Sequence, residues 1–111
     1  LLQRVEGGAD ALRVADAFRL ATIGGAAVLN REALGRIAPG QAADLAMYRR
    51  DTIELAGAVA QDPLGALILC RAGRADRVIV NGRTVVEDGR LATVDEHRLA
   101  GELNAVVRRF R

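Results

Sequence analysis

The side chains that could build a reactive site in this 111-residue chain are one histidine, one cysteine and a set of Asp and Glu residues, because the sequence contains no serine and no lysine. Without lysine there is no phosphate-loop motif, no Schiff base and no carbamylated metal bridge, and without serine there is no Ser-His-Asp triad. The glycines do not assemble into G-x-G-x-x-G, and Gly24-Gly25 reads as a packing or bend feature. His97 is the one imidazole, whereas a metal site needs several N, S or carboxylate ligands converging on one ion. It falls two residues before Leu99, on the opposite side of a helix from the apolar stripe, and reads as a solvated residue. Cys70 closes an apolar run and reads as a small core hydrophobe, with no histidine near in sequence to activate it as a nucleophile. Asp44 is the most tempting carboxylate; beside a turn it reads as structural, accepting hydrogen bonds from backbone donors. Asp88, Asp95 and Glu96 each have a local use at a hairpin end or a helix start. No residue is assigned a catalytic, cofactor-binding or metal-ligating role.

Composition narrows the possibilities further. All 16 basic residues are arginine, set against 14 acidic ones for a net charge of +2, and they are spread along the chain. Arg108, Arg109 and Arg111 cluster at the end, where positive charge complements a helix dipole. Aromatics are limited to Phe18, Tyr48 and Phe110, which leaves no stacking platform for single-stranded nucleic acid, and no nucleic-acid partner is expected. The apolar run from Pro63 to Cys70 is far short of the roughly 20 residues that span a bilayer, so no membrane association is expected. A lone cysteine and the lack of a signal-peptide pattern at the start point to the cytoplasm. A chain of this length is one domain at most and would bury about two-thirds of its unfolded surface, a modest core.

The elements that must position these residues change character between Leu34 and Tyr48. Pro39-Gly40 fits a type II turn, proline fixing φ at the second position and glycine taking the positive φ at the third. Before it, Ile37 could pair as a short strand; after it, Asp44 to Arg49 forms a strand whose apolar groups on both faces imply a place between two layers. Leu1 to Leu12 has no sustained period and reads as loop. Val14, Ala17, Leu20, Ala21 and Gly24 then recur at helical spacing, with Arg13 at the N-cap position and Asp16 in the first turn. Thr22 can cap a second short helix to Leu29, with a bend at Gly24-Gly25 and a stop at Asn30.

Downstream, Arg50 to Gln61 reads as loop, and Asp62-Pro63 as N-cap and first-turn proline of a helix through Leu69. Arg77 to Val80, Asn81-Gly82 and Arg83 to Glu87 make a hairpin, since Asn-Gly supplies the two positive φ values of a type I′ turn. Asp88-Gly89 is a further turn, and Leu91 to Thr93 extends a strand. Thr93-x-x-Glu96 is a capping box for a final helix striped by Leu99, Leu103, Val106 and Phe110.

The junction Gly35-x-Ile37-x-Pro39-Gly40-x-x-Ala43-Asp44-Leu45 resembles the barrel-to-sandwich junction of the amidohydrolase superfamily. Ala17-Phe18-Arg19-Leu20-Ala21-Thr22 with Gly25-Ala26 and Leu29 is similar to its last barrel helix. Val78-Ile79-Val80-Asn81-Gly82-Arg83, Val85-Val86 and Asp88-Gly89 resemble its closing hairpin. Gln3-Arg4-Val5, Gly8-Ala9-Asp10-Ala11, Gly24-Gly25 and Asp62-Pro63-Leu64 look most like the branch of 8-oxoguanine deaminase and hydroxyatrazine hydrolase.

The resemblance implies an α+β fragment: the last helices of a (β/α)8 barrel in residues 1–33, part of a small β-sandwich in 34–94, and a C-terminal helix packed on it in 95–111. A complete barrel needs roughly 250 residues, so the catalytic residues of such a parent are expected upstream. The implied parent is a metal-dependent hydrolase, with a divalent ion, zinc foremost, whose bound hydroxide displaces an amino group from a purine or triazine ring. Its expected partners are the N-terminal strands and barrel of the same enzyme and further copies of that enzyme. Because dihydroorotase-like, imidazolonepropionase-like and chlorohydrolase-like members share the junction motif, the resemblance leaves an alternative open: the C-terminal portion of another cyclic-amide amidohydrolase, dihydroorotase-like or imidazolonepropionase-like. A rival of another class is a free-standing interaction module, using an open sheet edge or the Leu99, Leu103, Val106, Phe110 face to bind a protein.

Overall fold

In a computed structural model, which describes residues 6–8, 11–70 and 73–110, the first long element is a helix with an irregular middle. Helix α1 (Val14–Arg19) runs into a π-helical turn (Leu20–Gly24) and on into α2 (Gly25–Val28). Arg13 stands at the N-cap with extended backbone and no side-chain cap; it reaches into the first turn to pair with Asp16, Nε to Oδ2 at 2.9 Å. The expected N-cap at Thr22 does not form. Its hydroxyl donates instead to the Phe18 carbonyl at 2.8 Å, as a mid-helix threonine does when no helix start competes for it. Gly24 and Gly25 both keep right-handed helical angles. A Cβ on Gly24 would lie 3.2 Å from the Arg19 carbonyl oxygen, so glycine fits the closed-in wall of the π turn. Asn30 ends the helix at φ 51°, the left-handed stop expected from its type.

The chain then folds back across the π turn. Gly40 takes φ 81° and Gln41 N–H donates to the Ala38 carbonyl at 3.2 Å, which are the marks of the expected turn at Pro39-Gly40. Ile37 does not pair as a strand; it is 89% exposed. The backbone donors of this stretch are used within the loop, with Ala42 N–H on the Ala33 carbonyl at 2.9 Å. Of the sequence opening, Leu1–Val5 and the pair Ala9-Asp10 lie outside the described residues, and Glu6-Gly7 is helical where a loop is expected.

Strands β1 (Leu45–Met47), β2 (Arg77–Val80), β3 (Arg83–Glu87) and β4 (Arg90–Leu91) form an antiparallel sheet in the order β1-β2-β3-β4. Leu45 faces Ile79 and Met47 faces Arg77, while a bulge at Val78/Ile79 shifts the register against β3. The two connecting turns carry paired positive φ values, 48° and 77° at Asn81-Gly82 and 49° and 71° at Asp88-Gly89, as type I′ turns require. β1 is three residues long and an edge strand, with Ala46 and Met47 exposed. The expected position between two layers is therefore not occupied, because among the described residues no second layer covers it. β4 begins at Arg90, one residue before the expected strand, and does not reach Thr93.

Between β1 and β2, the stretch expected to be all loop contains α3 (Ala58–Gln61), entered from Gly57 at φ 82°. It leads into α4 (Pro63–Leu69), where Asp62 caps the Gly65 N–H at 2.9 Å as its position before proline suggests. α4 packs on both α3 and α1. The final helix α5 (Glu96–Arg108) starts from Asp95, whose carboxylate accepts from Arg98 N–H at 3.0 Å. The capping box at Thr93 is thus replaced by a cap two residues later. Glu96 is drawn away from the helix to the Leu91 N–H (3.1 Å) and Arg74 (3.3 Å). Leu99, Leu103, Val106 and Phe110 are all exposed, so α5 does not lay its apolar stripe on the sheet as expected.

Ala26, Leu55 and Ala66 are the buried apolar side chains among the described residues. The chain exposes 9224 Å². A compact monomer of 11.8 kDa would expose about 5,900 Å². The radius of gyration is 17.8 Å. A compact 111-residue chain would give about 13 Å. The turns are formed and α4 and α5 are capped, whereas roughly 3,300 Å² of surface that compaction would cover lies open.

Candidate functional site

Asp44 is the carboxylate that the fold puts to a defined use. Its Oδ1 accepts from Asn81 N–H at 2.6 Å, across 37 residues of sequence, while Gly82 N–H donates to the neighbouring Ala43 carbonyl at 3.1 Å. The segment entering β1 therefore clamps the type I′ turn of the β2–β3 hairpin. The structural reading of Asp44 matches this, although the donor it serves is the distant hairpin and not its own junction turn. The clamp holds the tip of the hairpin beside β1, in line with the ladder from Leu45–Ile79 to Met47–Arg77.

His97 sits exposed in the first turn of α5, and Cys70 is half-buried and free at the end of α4. They are on different elements, and neither is placed with Asp44. Asp95 is occupied as a helix cap and Asp88 forms the second hairpin turn. Among the described residues no three of the His, Cys, Asp and Glu side chains come together as a metal cluster. A hydrolytic zinc site needs about three protein ligands around an open position, so the described donor set does not fit such an ion.

Charges are arranged in exposed pairs. Arg49 lies 2.6 Å from Asp51 and lowers its carboxyl below the usual range, chiefly by hydrogen bonding; Arg13 does the same to Asp16. Glu96 is lowered first by the Leu91 N–H and then by Arg74. This last group was hidden from sequence reasoning: Arg74 and Glu96 are 22 residues apart, and Arg74 also reaches the Gly89 carbonyl at 3.5 Å. Together they tether the start of α5 to the turn before β4.

Hollows on the surface are open. One of about 480 Å³ lies between the helix end and the following loop, lined by residues including Ile23, Asn30, Arg31, Glu32, Arg36 and Gln41. Arg31, Glu32 and Arg36 are all exposed there and of mixed sign, which gives no single charge preference. Another, of about 380 Å³, is lined by α3 and α4 and includes Cys70, with no histidine on its wall. No helix among the described residues is long and apolar enough to cross a membrane.

A helical end joined through the Pro39-Gly40 turn to an antiparallel hairpin sheet makes a small α+β unit, and no metal-holding group of His, Cys, Asp and Glu assembles among the described residues. The chain belongs to the amidohydrolase family, whose model matches residues 3–86. It is 44% identical over 94 residues to an 8-oxoguanine deaminase of Pseudomonas aeruginosa, covering 85% of this chain and 20% of that protein. It is 36% identical over 94 residues to a hydroxydechloroatrazine ethylaminohydrolase of Pseudomonas sp., with the same coverage of 85% and 20%. Among solved structures, the atrazine chlorohydrolase TrzN from Arthrobacter aurescens TC1, complexed with zinc, matches with a TM-score of 0.78 at 35% identity over 86% of this chain and 21% of that one. An adenosine deaminase from Xanthomonas campestris with bound zinc matches with a TM-score of 0.84 at 26% identity, over 96% and 24%. The chain thus spans about a fifth of the length of the curated relatives it matches.

Proposed function

We propose that the chain is the C-terminal structural portion of a metal-dependent amidohydrolase that hydrolytically deaminates a purine- or triazine-like ring, and that it contributes architecture and no catalytic group. The uncovered surface carries this reading. About 3,300 Å² beyond that of a compact monomer is several times the ~800 Å² that one partner buries in an ordinary interface, and so calls for a large body packed against the chain. Phe18, Leu20, Ile23, Val28 and Leu29 supply an apolar helix flank for the barrel, and Met47 and Tyr48 mark the sheet edge that N-terminal strands would extend. Residues 1–33, 34–94 and 95–111 then serve as barrel end, sandwich part and terminal helix. The deaminase and hydrolase relatives support the reaction class, and the zinc in the neighbouring structures supports a divalent ion held by the barrel.

The test has two arms. Zinc is titrated calorimetrically into the purified chain, and ammonia release from 8-oxoguanine is assayed with zinc present; no tight stoichiometric binding and no turnover are expected. In the second arm this chain replaces the matching segment of the P. aeruginosa 8-oxoguanine deaminase. Zinc-dependent turnover is expected to persist, and to persist equally with His97→Ala. Tight binding or turnover by the chain alone, or loss of the chimera's turnover on His97→Ala at unchanged folding, would refute the architectural role.

A further inference from the structure

We infer that Asn81 is a site of spontaneous deamidation, and that the clamp from Ala43 and Asp44 is what holds the reaction back in the folded chain. Asn81-Gly82 is the one Asn-Gly pair in the sequence, and both residues are exposed at the tip of the β2–β3 hairpin. A Cβ placed on Gly82 would meet nothing within 4 Å, so a forming ring and the water that opens it have room there. Glycine also presents its backbone nitrogen with no side chain to shield it. Residue type and exposure together favour attack of the Gly82 nitrogen on the side-chain amide of Asn81.

The step closes a five-membered ring. The Gly82 nitrogen gives up its proton and bonds to Asn81 Cγ, and the side-chain nitrogen leaves as ammonia with that proton. Water, the only co-reactant, then opens the succinimide at one of its two carbonyls. Opening at Cγ gives aspartate. Opening at the main-chain carbonyl gives isoaspartate, in which the chain runs through Cβ and Cγ and the former main-chain carbonyl becomes a free carboxylate.

The folded turn opposes this closure at each point. Gly82 N–H, the nucleophile's own proton, is donated to the Ala43 carbonyl at 3.1 Å. Asn81 N–H is held on Asp44 Oδ1 at 2.6 Å, and the residue stands at φ 48° in the type I′ turn. Ring closure needs the Gly82 nitrogen and the Asn81 Cβ nearly eclipsed about the Cα–C bond, and the ψ of about 30° at the first position of such a turn keeps them well apart. The Asp44 carboxylate beside the turn also disfavours the negative charge that builds on the attacking nitrogen. Closure therefore waits for the hairpin tip to leave the segment entering β1. Isoaspartate then makes the main chain one carbon longer, so the two clamping bonds cannot both re-form, and a transient opening becomes a permanent release of the hairpin.

Peptide mapping by mass spectrometry follows the amide-to-acid conversion at Asn81 in the 111-residue chain at one mildly alkaline pH, native and in urea, with Asn30 and Asn104 as internal references. In urea Asn81 should convert faster than both, because Arg31 and Ala105 carry side chains beside the attacking nitrogen. The native chain should convert Asn81 about thirtyfold more slowly than the chain in urea, since two hydrogen bonds each hold the turn closed by about fivefold. Asp44→Ala should raise the native rate about fivefold, while Asp44→Asn, whose side-chain oxygen still accepts, should stay within about twofold of the unaltered chain. Circular dichroism shows that each variant is folded, and the native-to-urea ratio needs no substitution at all. Chains isolated with isoaspartate at position 81 should have lost hydrogen-exchange protection at the Gly82 amide. Equal native and urea rates, slower conversion of Asn81 than of Asn30 or Asn104 in urea, an unchanged rate in folded Asp44→Ala, or a protected Gly82 amide in the isoaspartate chains would each overturn the proposal. It stands on this chain alone, and failure of the deaminase reading would leave it untouched.

Discussion

Gly35 is the residue on which the helix-to-sheet crossing depends most sharply, and Gly35→Ala measures it. Its φ is +84°, and a Cβ built there would lie 2.8 Å from both the Ile23 Cα and the Thr22 carbonyl oxygen and 2.9 Å from the Ile23 nitrogen. These are backbone atoms of the π turn, which cannot swing aside as a side chain would. The left-handed conformation costs a non-glycine residue about 1–2 kcal/mol, and forcing an extra carbon into a closed contact adds about 1–3 kcal/mol. Gly40 gives the control, since its φ is +81° but a Cβ there meets nothing within 4 Å. Gly40→Ala should therefore show the conformational part alone. With a urea slope of about 1–3 kcal/mol/M, the steric part appears as a midpoint for Gly35→Ala lower by about 1 M than that of Gly40→Ala, followed by far-UV circular dichroism. Equal midpoints for the two variants would show that the loop does not rest on the π turn.

Two further perturbations probe the polar ties. Asp44→Ala removes the acceptor of the Asn81 N–H at 2.6 Å; because the group is exposed, the expected loss is about 1 kcal/mol, seen as roughly fivefold to tenfold faster hydrogen exchange at the Asn81 amide, with Asp44→Asn largely retaining protection. Glu96 has its carboxyl lowered in the folded chain by the Leu91 N–H and then by Arg74, so the tether is intact above the ordinary glutamate value and is lost as pH falls through the lower folded one. The Leu91 amide shift should therefore titrate with a midpoint below that of an ordinary glutamate, and Glu96→Gln should abolish that titration.

Much of the local structure was legible because it is set by residues acting on their immediate neighbours. Asn81-Gly82, Asp88-Gly89, Pro39-Gly40, Asn30 and the Asp62-Pro63 cap each dictate a backbone conformation within a few bonds, and each appears where its type requires. What sequence reasoning missed lies in competition and distance. Thr93 lost the cap to Asp95 because Glu96, the other half of the box, has a better use at the Leu91 N–H and Arg74. Thr22 went to a carbonyl inside its own helix. The apolar character of Met47 and Ile37 says only that a residue seeks cover, and not that this chain provides it: Met47 pairs with Arg77 but lies exposed at the sheet edge, and Ile37 is exposed in the loop. Asp44 was recognisable as structural, yet its partner 37 residues away was not.

The exposed apolar surface falls in two places, and both call for broad cover. Phe18, Leu20, Ile23, Val28, Leu29, Ile37 and Ile53 are spread over helix, loop and turn, and no single helix could meet them all; only a broad body could. The stripe on α5 adds Leu99, Leu103, Val106 and Val107 along one helix flank, a width that fits a broad apolar face. A partner helix as short as α5, 13 residues, cannot account for an excess of about 3,300 Å². Leu103→Asp alters only this flank, so the Asn81 amide should keep its protection by Asp44, read by hydrogen exchange, while Asp44→Ala should remove that protection and leave the α5 amides unchanged. Loss of the Asn81 protection in Leu103→Asp would show that α5 and the hairpin clamp are one cooperative unit.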